Sequence, residues 1–396
     1  MARDAWNLRN RFPDRMCVRI AHTSESVMAA SVMRHSRPNG KFPKRRIAVA
    51  LQGGGSHGAF TWGVLDRLLR EPELEIVGIS GTSAGAMNAG ILADGLRRGG
   101  ADGARTALER YWDDVGRMPG YASIAPPRWL GAKRTWHLED NPMFLWQDMV
   151  TRVFSPYQTN PLNFNPLRRL LGRIDFEGLR NDPNAARVFI CATNVRTGLR
   201  RVFENEELSE DVLLASAALP QVYQAVEIDG EHYWDGGYTG NPALAPLYLF
   251  TAATDVIVVG INPITRSAVP RTARAIIDRI DEISFNSAFM AEVAAIAFIQ
   301  DLMKSRGHKT KLRPLHVHGI GDEALGAFGA SSKMNNDPEF LRHLHALGTG
   351  AAERWVAENR DAIGNHSTVD LSGLVPTRHG SLVGPSLIKQ ADEVPS

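Results

Sequence analysis

The 396-residue sequence predicts an α/β protein in which a mostly parallel central sheet carries helices on both faces. Three observations predict it. Short continuous apolar runs, of the kind shown by strands buried on both faces, occur at Ile47-Ala48-Val49-Ala50-Leu51, Ile76-Val77-Gly78-Ile79 and Val256-Ile257-Val258-Val259. Segments with apolar residues at helical spacing alternate with them, the order expected of parallel strands joined by helices. The first two runs also end in small-residue turns, Gly53-Gly54-Gly55-Ser56-His57-Gly58 and Gly81-Thr82-Ser83-Ala84-Gly85.

Each element has its own signal. After the first run, Phe60, Val64, Leu65, Leu68 and Leu69 recur at helical spacing from Ala59 to Leu69, until Pro72 blocks continuation. The second unit pairs the strand at Ile76–Ile79 with a helix over Ala84–Leu96, and Ser83 stands at the turn. From Arg110 to Leu171 the alternation breaks in an insertion carrying Trp112, Trp129, Trp136 and Trp146, half of the eight tryptophans. Such a segment is a lid or binding loop whose amphipathic rings meet lipid, or a cover packed over the core. Within it, the helix breakers from Ser155 to Pro166 predict a loop, and Leu167–Leu171 a short helix. Val188–Ala192 and Arg201–Phe203 about Thr197-Gly198 read as a hairpin, and Leu208–Ala218 as a helix ending before Pro220. A second hairpin joins Val226–Ile228 to His232–Trp234 through Asp229-Gly230 and delivers Asp235-Gly236-Gly237. Helices are expected over Ala243–Phe250, Ala273–Lys304 and Glu339–Glu358, with a last strand at Leu315–His318. The stretch Ile283–Ile299 contains Asn286 and Glu292, so the long helix reads as amphipathic, packed on the core in preference to adsorbed on a membrane.

Composition bounds the rest. With 43% hydrophobic residues and 45 basic against 43 acidic side chains, the chain can bury a large core and gives no reason to expect a nucleic-acid partner. Met1–Arg46 is the exception, with eleven Lys or Arg against Asp4, Asp14 and Glu25. Residues 1–45 are therefore expected to be a basic extension, either disordered or drawn to anionic membrane, ahead of a catalytic domain over 46–360 and a loosely structured tail over 361–396. The run Val27–Met33 is too short for a signal-peptide core, and no uncharged apolar run reaches about 18 residues. A cytoplasmic protein, peripherally attached to membrane at most, is expected. Cys17 and Cys191 alone form neither a disulfide framework nor a metal cluster, in keeping with a reducing compartment.

Acyl transfer needs a nucleophile, a base and donors aimed at the developing oxyanion. A Gly-x-Ser-x-Gly turn lifts its serine above the sheet edge, which makes Ser83 the candidate nucleophile. The glycine loop, Gly53, Gly54 and Gly55, leaves N–H groups open at a helix N-terminus, with Gly54 and Gly55 the best oxyanion donors. Asp235, after a strand and before two glycines, is the candidate base. Three rivals stand beside this. The loop also fits Gly-x-Gly-x-x-Gly, but the second strand ends at Ser80 and Gly81 and lacks the acid that a dinucleotide ribose requires. A Ser-Asp-His triad would take His316 or His318 as base. A non-enzymatic binding module is the third.

Together, Gly53–Gly58, Gly81–Gly85, the run Ala215-Ser216-Ala217-Ala218-Leu219-Pro220, and Asp235-Gly236-Gly237 resemble the patatin-like phospholipases, with all blocks in that family's order from about Arg46 to Gly260. The run Asn160–Pro166 resembles bacterial members. The resemblance implies a three-layer α/β/α fold and a Ser83–Asp235 dyad without histidine, with the glycine loop as oxyanion hole. It also implies cleavage of fatty acyl esters through an acyl-enzyme that water resolves, with no metal or organic cofactor. A broader esterase or acyltransferase using the same dyad is the alternative. One departure matters. The family's glycine motif usually carries Arg or Lys where this chain has His57, which predicts either a charge near the substrate that titrates close to neutrality or a ring packed against the loop.

Overall fold

The computed structural model describes residues 44–119, 136–138, 141–266, 269–306 and 315–370. Residues 1–43 of the basic extension, with Cys17 and the run Val27–Met33, lie outside the described residues, as do Trp129 and the tail beyond residue 370, while Arg45, placed in the extension, begins the first strand. In chain order the elements are β1 (Arg45–Leu51), α1 (Gly58–Leu68), β2 (Leu74–Gly81), α2 (Ala84–Arg117), α3 (Pro142–Val153), α4 (Pro156–Thr159), α5 (Leu167–Leu171) and α6 (Phe176–Asn181). Then follow β3 (Arg187–Asn194), β4 (Arg200–Phe203), α7 (Glu210–Ser216), β5 (Val226–Ile228), β6 (Glu231–Asp235) and α8 (Ala245–Phe250). The chain continues through β7 (Asp255–Val259), α9 (Ala273–Arg306), β8 (His316–Ile320) and α10 (Pro338–Asn359).

The apolar runs form the sheet because each strand is buried on both faces. On β1, Ile47, Val49 and Leu51 enter one core, which α1, α2, α7 and α10 cover, while Ala48 and Ala50 enter the other, under α8 and α9. Strand β7 divides in the same way, Ile257 and Val259 against Val256 and Val258. The result is the expected three-layer α/β/α arrangement around a mostly parallel sheet, ordered β5-β6-β3-β2-β1-β7-β8 with β4 also on β3.

The registers around β3 position the site. Ile190 pairs with Gly81 of β2 and with Phe203 of β4, so those two strands take opposite edges of β3. Ala192 pairs with Arg201 of β4 and with Asp235 of β6, so β6 shares the edge that β2 occupies. Antiparallel β6 thus runs head-on into the end of parallel β2. Ser83, just past β2, and Asp235, last in β6, are brought to one place by this meeting.

Two helical readings change. The helix predicted over Ala84–Leu96 ends at Gly99 and Gly100, which leave helical geometry, and a second helix that the sequence reading did not give then runs to Arg117, packing back on the first where Gly95 meets Ala104. Part of the supposed insertion is therefore helix, burying Trp112, and α3 is a second regular piece. Its start signal is ordinary: Asn141 accepts from the N–H groups of Met143 and Phe144, with Pro142 in the first turn. The tryptophans divide between both readings, since Trp112 is buried, Trp136 packs against the core and Trp146 is 59% exposed. The Ser155–Pro166 stretch is ordered by α4 and by Asn160, whose side chain bonds both the N–H and the carbonyl of Phe164. Helix α9 has a stretch, 275–300, long and apolar enough to cross a membrane by length and composition. Here its Phe289, Val293 and Ala297 pack into the core, and Glu292 accepts from the Leu244 and Ala245 N–H groups at the start of α8. Beyond α10, Ile363 and Val369 are buried, and the Thr368 N–H donates to the Val317 carbonyl beside β8.

Helices α1 and α10 cross at glycines. A Cβ on Gly63 would lie 2.0 Å from the His345 carbonyl oxygen, and one on Gly348 equally close to that of Phe60. Helix propensity alone would make Gly63→Ala stabilising by about 1 kcal/mol. Overpacking against backbone that cannot yield costs about 1–3 kcal/mol, so the net sign reverses. Urea denaturation should find Gly63→Ala less stable than wild type.

Candidate active site

Ser83 occupies a strained turn. Its φ of 55° and ψ of −123° are uncommon for a residue with a side chain and cost about 1–3 kcal/mol. The flanking glycines let the turn close: a Cβ at Gly81 would lie 2.4 Å from the Gly85 carbonyl oxygen, and one at Gly85 only 2.1 Å from that of Leu51. Although Ser83 stands at the N-cap of α2, where serine commonly bonds the first turn, its hydroxyl makes no capping bond. Its oxygen stays available. The Ser83 N–H donates to the Ser216 hydroxyl at 2.9 Å, and that hydroxyl donates to the Cys191 carbonyl at 2.7 Å, which pins the turn to β3.

Asp235 is held as firmly. Its N–H donates to the Ala218 carbonyl at 2.9 Å, and its carbonyl accepts from the Thr193 hydroxyl at 2.8 Å. The Asp235-Gly236 step passes so close to β3 that a Cβ on Gly236 would lie 2.1 Å from the Cys191 carbonyl oxygen. The Ala215–Pro220 run therefore braces both residues, Ser216 on the serine side and Ala218 on the aspartate side. The Asp235 carboxyl is completely buried; Oδ1 accepts the Gly237 N–H at 2.7 Å, whereas Oδ2 has no formed hydrogen bond. Burial pushes its pKa up to about 7, opposed by the Gly237 N–H and, less, by the hydroxyl of Ser83. Ser83 thus lies near enough to affect the carboxyl without an aligned bond.

The glycine loop lies against the serine. A Cβ on Gly53 would be 2.6 Å from the Ser83 Cβ, and Gly55 has φ +58° with the Lys333 carbonyl oxygen 2.2 Å from where its Cβ would stand. Gly53 departs from the expected donor role: its N–H is committed to Asn241 Oδ1 at 2.6 Å. Its part is steric. The N–H groups of Gly54 and Gly55 have no acceptor among the described residues.

His57 does not carry the titrating charge that one sequence reading allowed. Its ring is buried between Phe328 and Phe340, and Nε2 meets the Ser332 hydroxyl at 2.8 Å. Because that hydroxyl donates to the Gly329 carbonyl, Nε2 is the protonated nitrogen. Burial, reinforced by the nearby Lys333 charge, lowers the pKa to about 3, so the ring stays neutral at any physiological pH. The other histidines are placed elsewhere. His318 is fully buried on β8, three strands from β2, and spends Nε2 on Asp255 at 2.9 Å and Nδ1 on Thr368 at 3.2 Å. His316 lies on the same strand. Cys191 offers no rival nucleophile, since burial pushes its thiol up to about 12. Among the described residues no group of His, Cys, Asp or Glu could hold a metal ion.

Several site residues carried no legible role in the sequence. Ser216 stood inside a recognisable run, but its hydrogen bonds could not be read there. Asn241, Asn262 and Lys333 join the loop from distant segments with no local signal.

The patatin-like phospholipase family profile matches residues 49–248, half of the chain. Among solved structures, VipD from Legionella pneumophila is similar at 15% identity and a TM-score of 0.30, over 77% of this chain and 67% of that one. No curated protein matches.

A raised carboxyl pKa has a stability consequence. Below the ordinary value of 3.8, Asp235 is protonated in folded and unfolded chains alike and costs nothing. As pH rises, the unfolded chain ionises first, so stability falls until about pH 7 and the full penalty persists above it. Asn keeps the acceptor for Gly237 without that charge. Asp235→Asn should therefore match wild type near pH 4 and exceed it by up to about 4 kcal/mol at pH 8, as urea denaturation at the two pH values would show.

Proposed function

Because the chain belongs to the patatin-like phospholipase family and is a lipid ester hydrolase, we propose that Ser83 is its nucleophile and that Asp235 takes the serine proton directly. One observation carries this reading: a buried carboxyl with an unbonded oxygen and a pKa of about 7 sits beside the free hydroxyl of a strained serine. A base matched to neutral pH is what proton transfer in the transition state requires.

The reaction follows from these groups. Asp235 Oδ2 accepts the proton as Ser83 Oγ bonds to the ester carbonyl carbon, whose π electrons move onto oxygen. The Gly54 and Gly55 N–H groups receive this oxyanion, helped by the positive end of α2, and each such donor contributes about 2.7–4 kcal/mol to the transition state. Collapse expels the alcohol, which leaves with the proton from Asp235, and the acyl group remains on Ser83. Water, deprotonated by Asp235, then releases the fatty acid and restores the hydroxyl.

The substrate class is an acyl ester of a phospholipid or related lipid. With His57 neutral and enclosed, it has no part in binding a phosphate headgroup. The exposed face of α3 supports peripheral attachment to lipid. Met143, Trp146, Met149 and Val153 recur at helical spacing and are 44–69% exposed, followed by Leu162 at 91% and Phe164 at 71%. Aromatic and flexible apolar side chains suit the boundary of a bilayer.

The assay uses phosphatidylcholine vesicles beside short nitrophenyl esters. Turnover of both is expected, whereas turnover of the small esters alone would favour a broader esterase. Ser83→Ala should lose about 10⁴–10⁶-fold in kcat, and Asp235→Asn about 10⁴-fold. If Asp235→Asn stays active while His316→Ala or His318→Ala is dead, the base is a histidine. In wild type, kcat/KM should fall tenfold per pH unit below about pH 7, because only ionised Asp235 can accept the proton.

A further inference from the structure

Asn262 stands between the glycine loop and a lysine. Its Nδ2 donates to the Gly53 carbonyl at 2.6 Å, and its Oδ1 accepts from Lys333 Nζ at 2.8 Å. The Gly53 carbonyl and the Gly54 N–H belong to a single peptide unit. A hydrogen bond at the oxygen of a peptide draws electron density from its nitrogen and makes the N–H a stronger donor, and a cation at the far end of the chain adds to this in a low-dielectric interior. The Gly53 side of the loop is anchored as well, by its N–H to Asn241, so the peptide is fixed in direction.

The lysine packs on the loop as well as bonding Asn262. It lies on the short turn Ala330–Met334 that packs on the loop, since the Lys333 carbonyl is the atom that a Cβ on Gly55 would strike. The carboxylates facing its ammonium are Glu282, Asp278 and Asp281, and Arg266 is the facing cation. Glu282 is already paired with Arg266 and Arg279, which leaves the Lys333 hydrogen bond directed at Asn262. Burial lowers the Lys333 pKa and the Glu282 charge opposes this; of the two cations that act on His57 in the loop, Lys333 and Arg266, Lys333 has the larger effect.

We propose that Lys333, acting through Asn262, is a positioning residue that polarises the Gly53–Gly54 peptide toward the oxyanion. The proposal rests on the reading of Gly54 N–H as an oxyanion donor. Its effect belongs to the transition state, because the ester carbonyl of bound substrate carries much less charge than the tetrahedral intermediate.

The test uses the full chain, a soluble nitrophenyl butyrate, and a fluorophosphonate that titrates competent sites by bonding Ser83 and expelling fluoride. For Lys333→Met, kcat per titrated site should fall about 10- to 100-fold with KM within about twofold, and phosphonylation should slow in parallel. Asn262→Ala should show a similar loss, and the double variant should be no slower than Asn262→Ala alone. A purely structural lysine would instead lower the melting temperature and the titrated fraction while kcat per site stayed within twofold, which overturns the proposal. Losses that multiply in the double variant overturn the route through Asn262. Should Lys333→Met not fold, Lys333→Gln keeps a donor to Asn262 without the charge, and the same thresholds apply. Ser83→Ala separates the two readings: activity surviving it sinks the hydrolase mechanism and the relay together, whereas activity lost there but unchanged in Lys333→Met sinks the relay alone.

Discussion

Keeping an acidic side chain dry is the constraint on which the rest of the structure depends. Asp235 is completely buried, with one backbone N–H on its carboxyl and no cation paired to it among the described residues. Left alone, such a group would draw in water or relax toward the surface. The fold prevents both by fixing the residue through its backbone, on Ala218 and Thr193, so that the side chain has nowhere else to go. The cost of burial then appears as basicity near neutral pH.

The serine obeys the same logic from the other strand. Its turn is strained, its neighbours are glycines because carbonyl oxygens occupy the space, and its N–H is committed to Ser216. Ser216 and Ala218 lie two residues apart at the end of α7, so one short segment locks both halves of the site. Neither half is positioned by its own side chain. That leaves the Ser83 hydroxyl and the second Asp235 oxygen, Oδ2, free of structural duty, while Oδ1 caps the turn at Gly237.

The sequence made most of the architecture legible. Two-sided burial writes itself as an apolar run, so β1, β2 and β7 could be read directly, and Asp229-Gly230 announced the turn that presents Asp235, with φ of 53° and 78° at the two positions. The helix ending near Leu96 was legible and falls at Gly99 and Gly100, whereas the second helix that follows, to Arg117, was hidden in what read as an irregular insertion. In the site, the serine turn and the Asp-Gly-Gly step were visible because close backbone approach demands glycine. The commitment of the Gly53 N–H to Asn241, 188 residues away, was not, since a hydrogen bond between distant segments leaves no periodic trace. His57 was ambiguous for a related reason: its neutrality comes from Phe328, Phe340 and Lys333, which meet it only in three dimensions.

The head-on meeting of β2 and β6 along one edge of β3 has a modular consequence. Ser83, the glycine loop and Asp235 all come from strand ends or from turns that touch them, and none of the proposed roles falls on a described residue between Met118 and Ala186. The described part of that intervening stretch, with α3 and its exposed Trp146, follows α2 and leads into β3. Changes of length or surface there need not disturb the strand register that brings Ser83 and Asp235 together, so that stretch and the register are open to separate selection.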